Sequence, residues 1–191
     1  TLDGFTDPSW KGRIGWAPTN GSFQAMVTGM RLIWGEDRTR DWLEGIVANE
    51  PSVYAKNTPT VAATGSGEVE VGFVNHYYLH RFLAEEGEGF AARNYFLPGG
   101  GPGSAVLVTG AAILKTADNE SQAERFLDYL LSEDAQKYFS EQTFEYPLID
   151  GVAHEELLPN LDSLNTPDID VSDLGDLEAT QNLLREVGAL P

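Results

Sequence analysis

Short stretches with the two-residue period of a strand alternate with longer ones at helical spacing, and this alternation restricts the fold more than any other feature. Trp10-Lys11-Gly12-Arg13-Ile14-Gly15-Trp16-Ala17-Pro18 is β-like and ends at a proline. After Thr19-Asn20-Gly21-Ser22, the apolar residues Phe23, Met26, Val27, Met30 and Ile33 recur at helical spacing. Asn20 or Ser22 serves as N-cap, so the turn offers free backbone N–H groups beside the positive end of a helix, where an anion can sit. A second helix is expected over Glu36 to Ala48 and a loop or short strand over Val53 to Asn57. Thr58-Pro59 reads as N-cap and N1 of a helix ending near Gly65. Glu68 to Val74 alternates like a strand and breaks at Asn75-His76-Tyr77-Tyr78 into a helix reaching Glu86. Further strands are expected at Tyr95–Pro98 and Ala105–Val108. Helices are expected after the Asn119 cap, after Ser132, and from Leu177 to Val187. Strands and helices in alternation mean an α/β architecture.

Charge and composition narrow the partners. Thirty acidic against 12 basic residues give a net charge of −18, which argues against nucleic acid or an anionic membrane surface. The chain has no cysteine, so thiolate metal sites, disulfides and cysteine nucleophiles are excluded. A metal would need oxygen or imidazole ligands, and hard trivalent iron suits phenolate and carboxylate oxygen. No apolar run reaches the roughly 18 residues that span a bilayer, and no basic-then-apolar leader pattern is present in this chain.

Each candidate has a bland alternative. Adjacent tyrosines after a strand, such as Tyr77 and Tyr78, are by themselves most often half-buried packing residues. His76 and His80 are four apart and could form a zinc pair, but no third ligand is evident, which favours solvated surface histidines. His154 reads as surface. The glycines at 99–103 lack a following Lys-Ser/Thr and suggest a hinge-like segment boundary rather than a phosphate loop. Trp10, Trp16, Trp34 and Trp42 read as core rather than a sugar platform, and Glu68 and Glu70 as a solvated face rather than paired catalytic carboxylates. No nucleophile–base pair stands out, and an enzyme is not expected.

Three segments together carry a family resemblance. They are Trp-Lys-Gly-Arg-Ile-Gly-Trp-Ala-Pro-Thr-Asn-Gly-Ser at 10–22, Gly-Glu-Val-Glu-Val-Gly-Phe-Val-Asn-His-Tyr-Tyr at 67–78, and the helical stretch from Ala123 to Phe139. The chain resembles the ferric-ion-binding members of the periplasmic substrate-binding proteins of ABC importers. The third segment is common to the wider superfamily; Asn-x-Tyr-Tyr at a strand end is specific to the iron branch. The resemblance implies that Tyr77 and Tyr78 bind the metal as phenolates. It also implies that Asn75 and Asn57 contact a synergistic anion, carbonate or phosphate, and that Asn20, Gly21 and Ser22 form the anion-binding turn. The family often has serine where this chain has Asn20.

The same resemblance implies a periplasmic-binding-protein-like lobe with a central mixed β-sheet flanked by helices, the first lobe being largely missing. Residues 1–105 would form the second, tyrosine-bearing lobe, 106–154 a segment crossing back to the first lobe, and 155–191 the return. A crossing segment without its partner lobe is open to unusual packing, exposure or exchange between chains. The implied function is extracytoplasmic capture of Fe3+, in the periplasm or as a cell-surface lipoprotein, for delivery to an ABC permease. The alternatives are a small oxyanion or phosphonate bound without metal and, more remotely, a metal-assisted hydrolase using His76 and His80.

Overall fold

The three residues of β1 (Ile14–Trp16) are all buried, and the strand has a neighbour on each side, which makes it the centre of the architecture. In the computed structural model, which describes residues 1–97 and 100–191, β1 lies between β2 (Ser52–Val53) and β3 (Val71–Gly72). Gly15 is opposite Ser52 on one side and Gly72 on the other, and both pairings are parallel. The sheet is therefore parallel among the described residues, where a mixed one was expected. The physical reason is that helices fill both crossovers, as parallel neighbours require: α1 (Gly21–Trp34) and α2 (Glu36–Ala48) follow β1, and α3 (Asn57–Ser66) follows β2.

The chain divides into two compact units. The first comprises Thr1–Leu107 and Leu161–Pro191, the second Val108–Asn160. In the first unit, α1, α2 and α7 (Leu177–Glu186) enclose a core of Ile14, Trp16, Phe23, Val27, Met30, Trp42, Leu43, Ile46, Leu183 and Leu184. Trp16 and Trp42 are fully buried, while Trp10 and Trp34 pack at the margin, each beneath an arginine (Arg13 and Arg38), so all four tryptophans are core as expected. A smaller cluster of Val61, Leu79 and Phe90 joins α3 to α4 (Tyr77–Glu86). Glu70 pairs with Arg13 and Glu68 accepts from Tyr54 at 2.8 Å, in keeping with a surface role for both carboxylates.

The second unit, taken alone, holds α5 (Glu120–Leu130) and α6 (Glu133–Thr143). Side-chain hydrogen bonds tie its segments together. Gln136 donates to the Leu130 carbonyl at 2.7 Å and accepts from the Leu148 N–H at 2.7 Å, and Ser140 donates to the Ala153 carbonyl at 3.0 Å. No residue of α5 is buried, and its apolar face leaves Phe126 59% and Tyr129 57% exposed.

Several expected elements differ. The strand over Glu68–Val74 is paired only at Val71–Gly72, because β1 itself is three residues long. Tyr95–Leu97 belongs to no strand, and Pro98, like Gly99 of the glycine cluster, lies outside the described residues. Ala105–Val108 is not a strand: a strand needs a neighbour's hydrogen bonds, and no other strand pairs with it. The third helix starts at Asn57 rather than after a Thr58 cap, with Pro59 tolerated in its first turn.

α3 lies close over the sheet because two glycines leave room for it. A Cβ on Gly72 would come within 2.7 Å of Thr60 Cγ2 and 2.9 Å of Thr64 Oγ1; one on Gly15 would meet Thr60 Cγ2 at 3.3 Å. Thr60 is fully buried and cannot swing away. Gly72→Ala should therefore lower the unfolding free energy in urea by about 1–3 kcal/mol, the range for overpacking. Gly89→Ala, where a Cβ meets nothing within 4 Å, should stay within about 0.5 kcal/mol of the parent.

Candidate metal centre

Parallel strands release their chains at one edge of the sheet. Here each exit feeds a helix: β1 leads to α1, β2 to α3 and β3 to α4. The carboxyl edge of an open parallel sheet, where the strand order reverses, is the usual ligand site of such folds. Asn20, Gly21 and Ser22 lie on the first exit, Asn57 on the second, and Asn75, Tyr77 and Tyr78 on the third. One constraint, the strand order β2-β1-β3, thus brings all seven residues to the same edge.

On the first exit, Asn20 has extended backbone and caps α1, its Oδ1 accepting from the Ser22 N–H at 2.9 Å and from the Ser22 hydroxyl at 2.7 Å. The Ser22 proton is thereby committed, leaving its oxygen to accept from Asn57 Nδ2 across 3.4 Å, the long end of a hydrogen bond. Asn57, 3% exposed, is the first residue of α3. Asn20, Ser22 and Asn57 form one polar group between two helix N-termini. A Cβ on Gly21 would meet nothing within 4 Å, so the backbone there is open to approach.

Tyr77 and Tyr78 occupy the first two positions of α4, and their rings lie side by side, centroids 4.6 Å apart and inclined by 31°. Both are half-buried. Asn75 donates from Nδ2 to the Tyr77 phenol oxygen at 3.0 Å. Tyr78 packs against the Val61–Leu79–Phe90 cluster, with the Arg81 guanidinium 5.5 Å from its ring centroid. Asn94 donates to the His76 carbonyl at 2.9 Å, tying the extended segment after Phe90 to this junction. At Tyr54, burial and then the bond to Glu68 raise the hydroxyl pKa, so it stays a protonated donor.

The histidines depart from expectation. His80 is 5% exposed rather than solvated, because the first turn of α4 directs residues 79 and 80 inward. Burial and, secondarily, the neighbouring His76 lower its pKa and keep it neutral near pH 7. His76 stands edge-on to Tyr77 at 5.5 Å. Among the described residues no three of His, Cys, Asp and Glu gather to hold a metal, so the zinc alternative finds no third ligand. His154 is half-buried against Tyr146, ring centroids 5.4 Å apart, rather than on the open surface. A cleft of about 200 Å³ lined by Trp34, Arg38, Leu97 and Pro102, among others, contains none of the seven candidates.

Sequence reasoning passed over Gln24, Thr28 and Arg31, which occupy one face of α1. All three are polar at core-facing spacing, and that was the available signal.

The model of a family described as bacterial extracellular solute-binding protein matches residues 1–171. The major ferric iron-binding protein of Neisseria meningitidis serogroup B is 32% identical over 185 residues, covering 96% of this chain and 56% of that protein. Iron uptake protein A2 of Synechocystis sp. is 34% identical over 200 residues, covering 98% of this chain and 57% of that protein. The crystal structure of iron-bound HitA from Pseudomonas aeruginosa superposes with a TM-score of 0.91 at 34% identity, covering 98% of this chain and 61% of that one. The chain spans a little over half the length of the curated relatives it matches.

Replacing Asn20 by Ala should cost about 1 kcal/mol in urea unfolding through loss of the cap. Asn20→Asp, which keeps the acceptor, should stay within a few tenths of a kcal/mol of the parent.

Proposed function

The chain belongs to the family of bacterial extracellular solute-binding proteins, and from that premise we propose that it captures ferric iron together with a synergistic anion. The observation that carries this reading is the Tyr77–Tyr78 pair, ring against ring at the start of α4, with Asn75 on one phenol oxygen. Free phenols ionise near pH 10 and are poor ligands at neutral pH. A trivalent cation reverses that preference and holds both as phenolates. Two phenolates leave one positive charge on Fe3+, and an anion at the same sheet edge neutralises it. Asn20, Gly21, Ser22 and Asn57 supply the polar side chains and helix N-termini suited to carbonate or phosphate.

In this reading the protein works outside the cytoplasm, in the periplasm or held at the cell surface, and delivers iron to an ABC permease. Residues 1–105 form the tyrosine-bearing lobe, 106–154 cross toward a first lobe that supplies the remaining ligands, and 155–191 return. Such a lobe would cover the exposed Phe126 and Tyr129 of α5 and give Ala105–Val108 the neighbour a strand needs. Where the lobe is lacking, exchange of this segment between chains would cover the same face.

A second reading keeps the anion and drops the metal: the Asn20–Ser22–Asn57 group is complete without the tyrosines and could hold a small oxyanion or phosphonate. Titration with ferric nitrilotriacetate separates the two. Iron binding predicts a saturable visible tyrosinate-to-iron band, enhanced by phosphate and lost in Tyr77→Phe/Tyr78→Phe. Phosphate binding measured calorimetrically without iron, and no band even with the other lobe present, would support the oxyanion reading instead. Sedimentation should show self-association of the isolated chain that Phe126→Glu reverses; a monomer at all concentrations would dismiss segment exchange.

A further inference from the structure

Beside the apolar residues that α1 and α7 send into the common core, the two helices also meet through a row of polar side chains. Thr28 and Thr180, both fully buried, share a hydrogen bond between hydroxyls at 2.8 Å. Arg31 donates to the Thr180 hydroxyl at 3.0 Å and pairs with Asp176, the N-cap of α7, at 3.1 Å. Above them Gln24, 6% exposed, accepts from Gln181 Nε2 at 3.0 Å. Residues 24, 28 and 31 lie along one face of α1, so this row of polar bonds sets the register of α7 against α1. Buried polar rows add less stability than apolar packing, but they penalise every misaligned arrangement.

The row does not end at Gln24. Its Nε2 donates to the carbonyl of Pro18 at 3.0 Å. Pro18 is buried in the turn that runs from the end of β1 to Asn20, and that turn is closed by the Asn20 N–H on the Ala17 carbonyl at 2.9 Å. The Pro18 carbonyl takes no part in this closure and points to Gln24. A side-chain amide has a donor end and an acceptor end, so Gln24 can serve Pro18 and Gln181 at once; a carboxylate can serve only Gln181.

We propose that Gln24 is a positioning residue: it holds the turn that presents Asn20 and Ser22, and it makes that turn answer to the placement of α7. The link to anion binding rests on the ferric–anion reading above, whereas the link between turn and helix rests on the hydrogen bonds alone. A shift of α7 along α1 removes the Gln181 donor, frees the Gln24 amide to turn, and releases the Pro18 carbonyl. An anion bound at the turn in return favours the seated position of α7, since coupling between two sites is reciprocal.

The test combines amide hydrogen exchange with the ferric titration on the intact chain. Gln24→Glu keeps the shape and the bond to Gln181 but loses the donor to Pro18; Gln181→Ala removes the distal partner at a half-exposed position. In both, exchange at the Asn20 and Ser22 amides should rise, by about tenfold in Gln24→Glu, the factor that loss of one buried hydrogen bond carries. Exchange in the last turn of α2 should not change. The phosphate concentration that half-saturates the tyrosinate–iron band should rise in parallel, with the band at saturating phosphate unaltered. Parental exchange at Asn20 and Ser22 in Gln181→Ala would overturn the coupling, even if Gln24→Glu failed to fold. Raised exchange with an unmoved phosphate dependence would overturn the link to the anion. If the parent shows no iron band, exchange alone decides the coupling, and the ferric reading falls when the band is absent with the other lobe present as well.

Discussion

The double pairing of β1 is the constraint on which the rest hangs. Gly15 has neighbours on both edges, Ile14 pairs with Val71 of β3 and Trp16 with Val53 of β2. The Arg13 and Gly15 carbonyls accept from the β3 side, while that of Trp16 accepts from Tyr54 after β2. Every backbone group of such a short, buried strand must be satisfied, since an unpaired one would cost as much as a lost hydrogen bond. With β1 fixed between β2 and β3, the three exits open on one edge and three helix N-termini gather there. The chemistry at that edge follows from strand order before any side chain is considered.

Much of this was legible in the chain. Asn20 reads as a cap because an amide oxygen two residues before a donor N–H has one obvious use, and the bond is present. The change from two-residue to helical period at Asn75–Tyr78 locates the strand-to-helix junction, and the tyrosines stand there. Whether two consecutive side chains converge or diverge is not a matter of period, however; it depends on how α4 leaves β3. The burial of His80 was equally hidden, because a histidine within Tyr-Tyr-Leu-His-Arg carries no mark of which way its turn faces. Ala105–Val108 shows the converse limit. Its residues favour a strand, yet strand formation is a property of pairs, and no strand among the described residues pairs with it.

The polar row from Arg31 to Gln24 left one sign in the sequence, its core-facing spacing, and that sign is easily outweighed. Gln, Thr and Arg on a helix normally indicate the solvent side, and only tertiary structure tells that α7 covers them. The two ends of the first unit's sequence meet there: α1 follows the first strand, while α7 comes from the last residues of the chain. A polar seam between segments so distant in sequence favours one alignment, which an apolar seam of similar volume would leave free to slide.

The seating of α3 on Gly15 and Gly72 has a mechanical meaning. With Thr60 packed close over both glycines, α3 has little clearance to translate over the sheet, which limits how far Asn57 at its first position can shift. A rigid donor is already oriented before a guest arrives, so little motional freedom is lost on association. On the ferric–anion reading proposed above, a wall at Asn57 that yields little would separate a compact oxyanion from a bulkier one by shape.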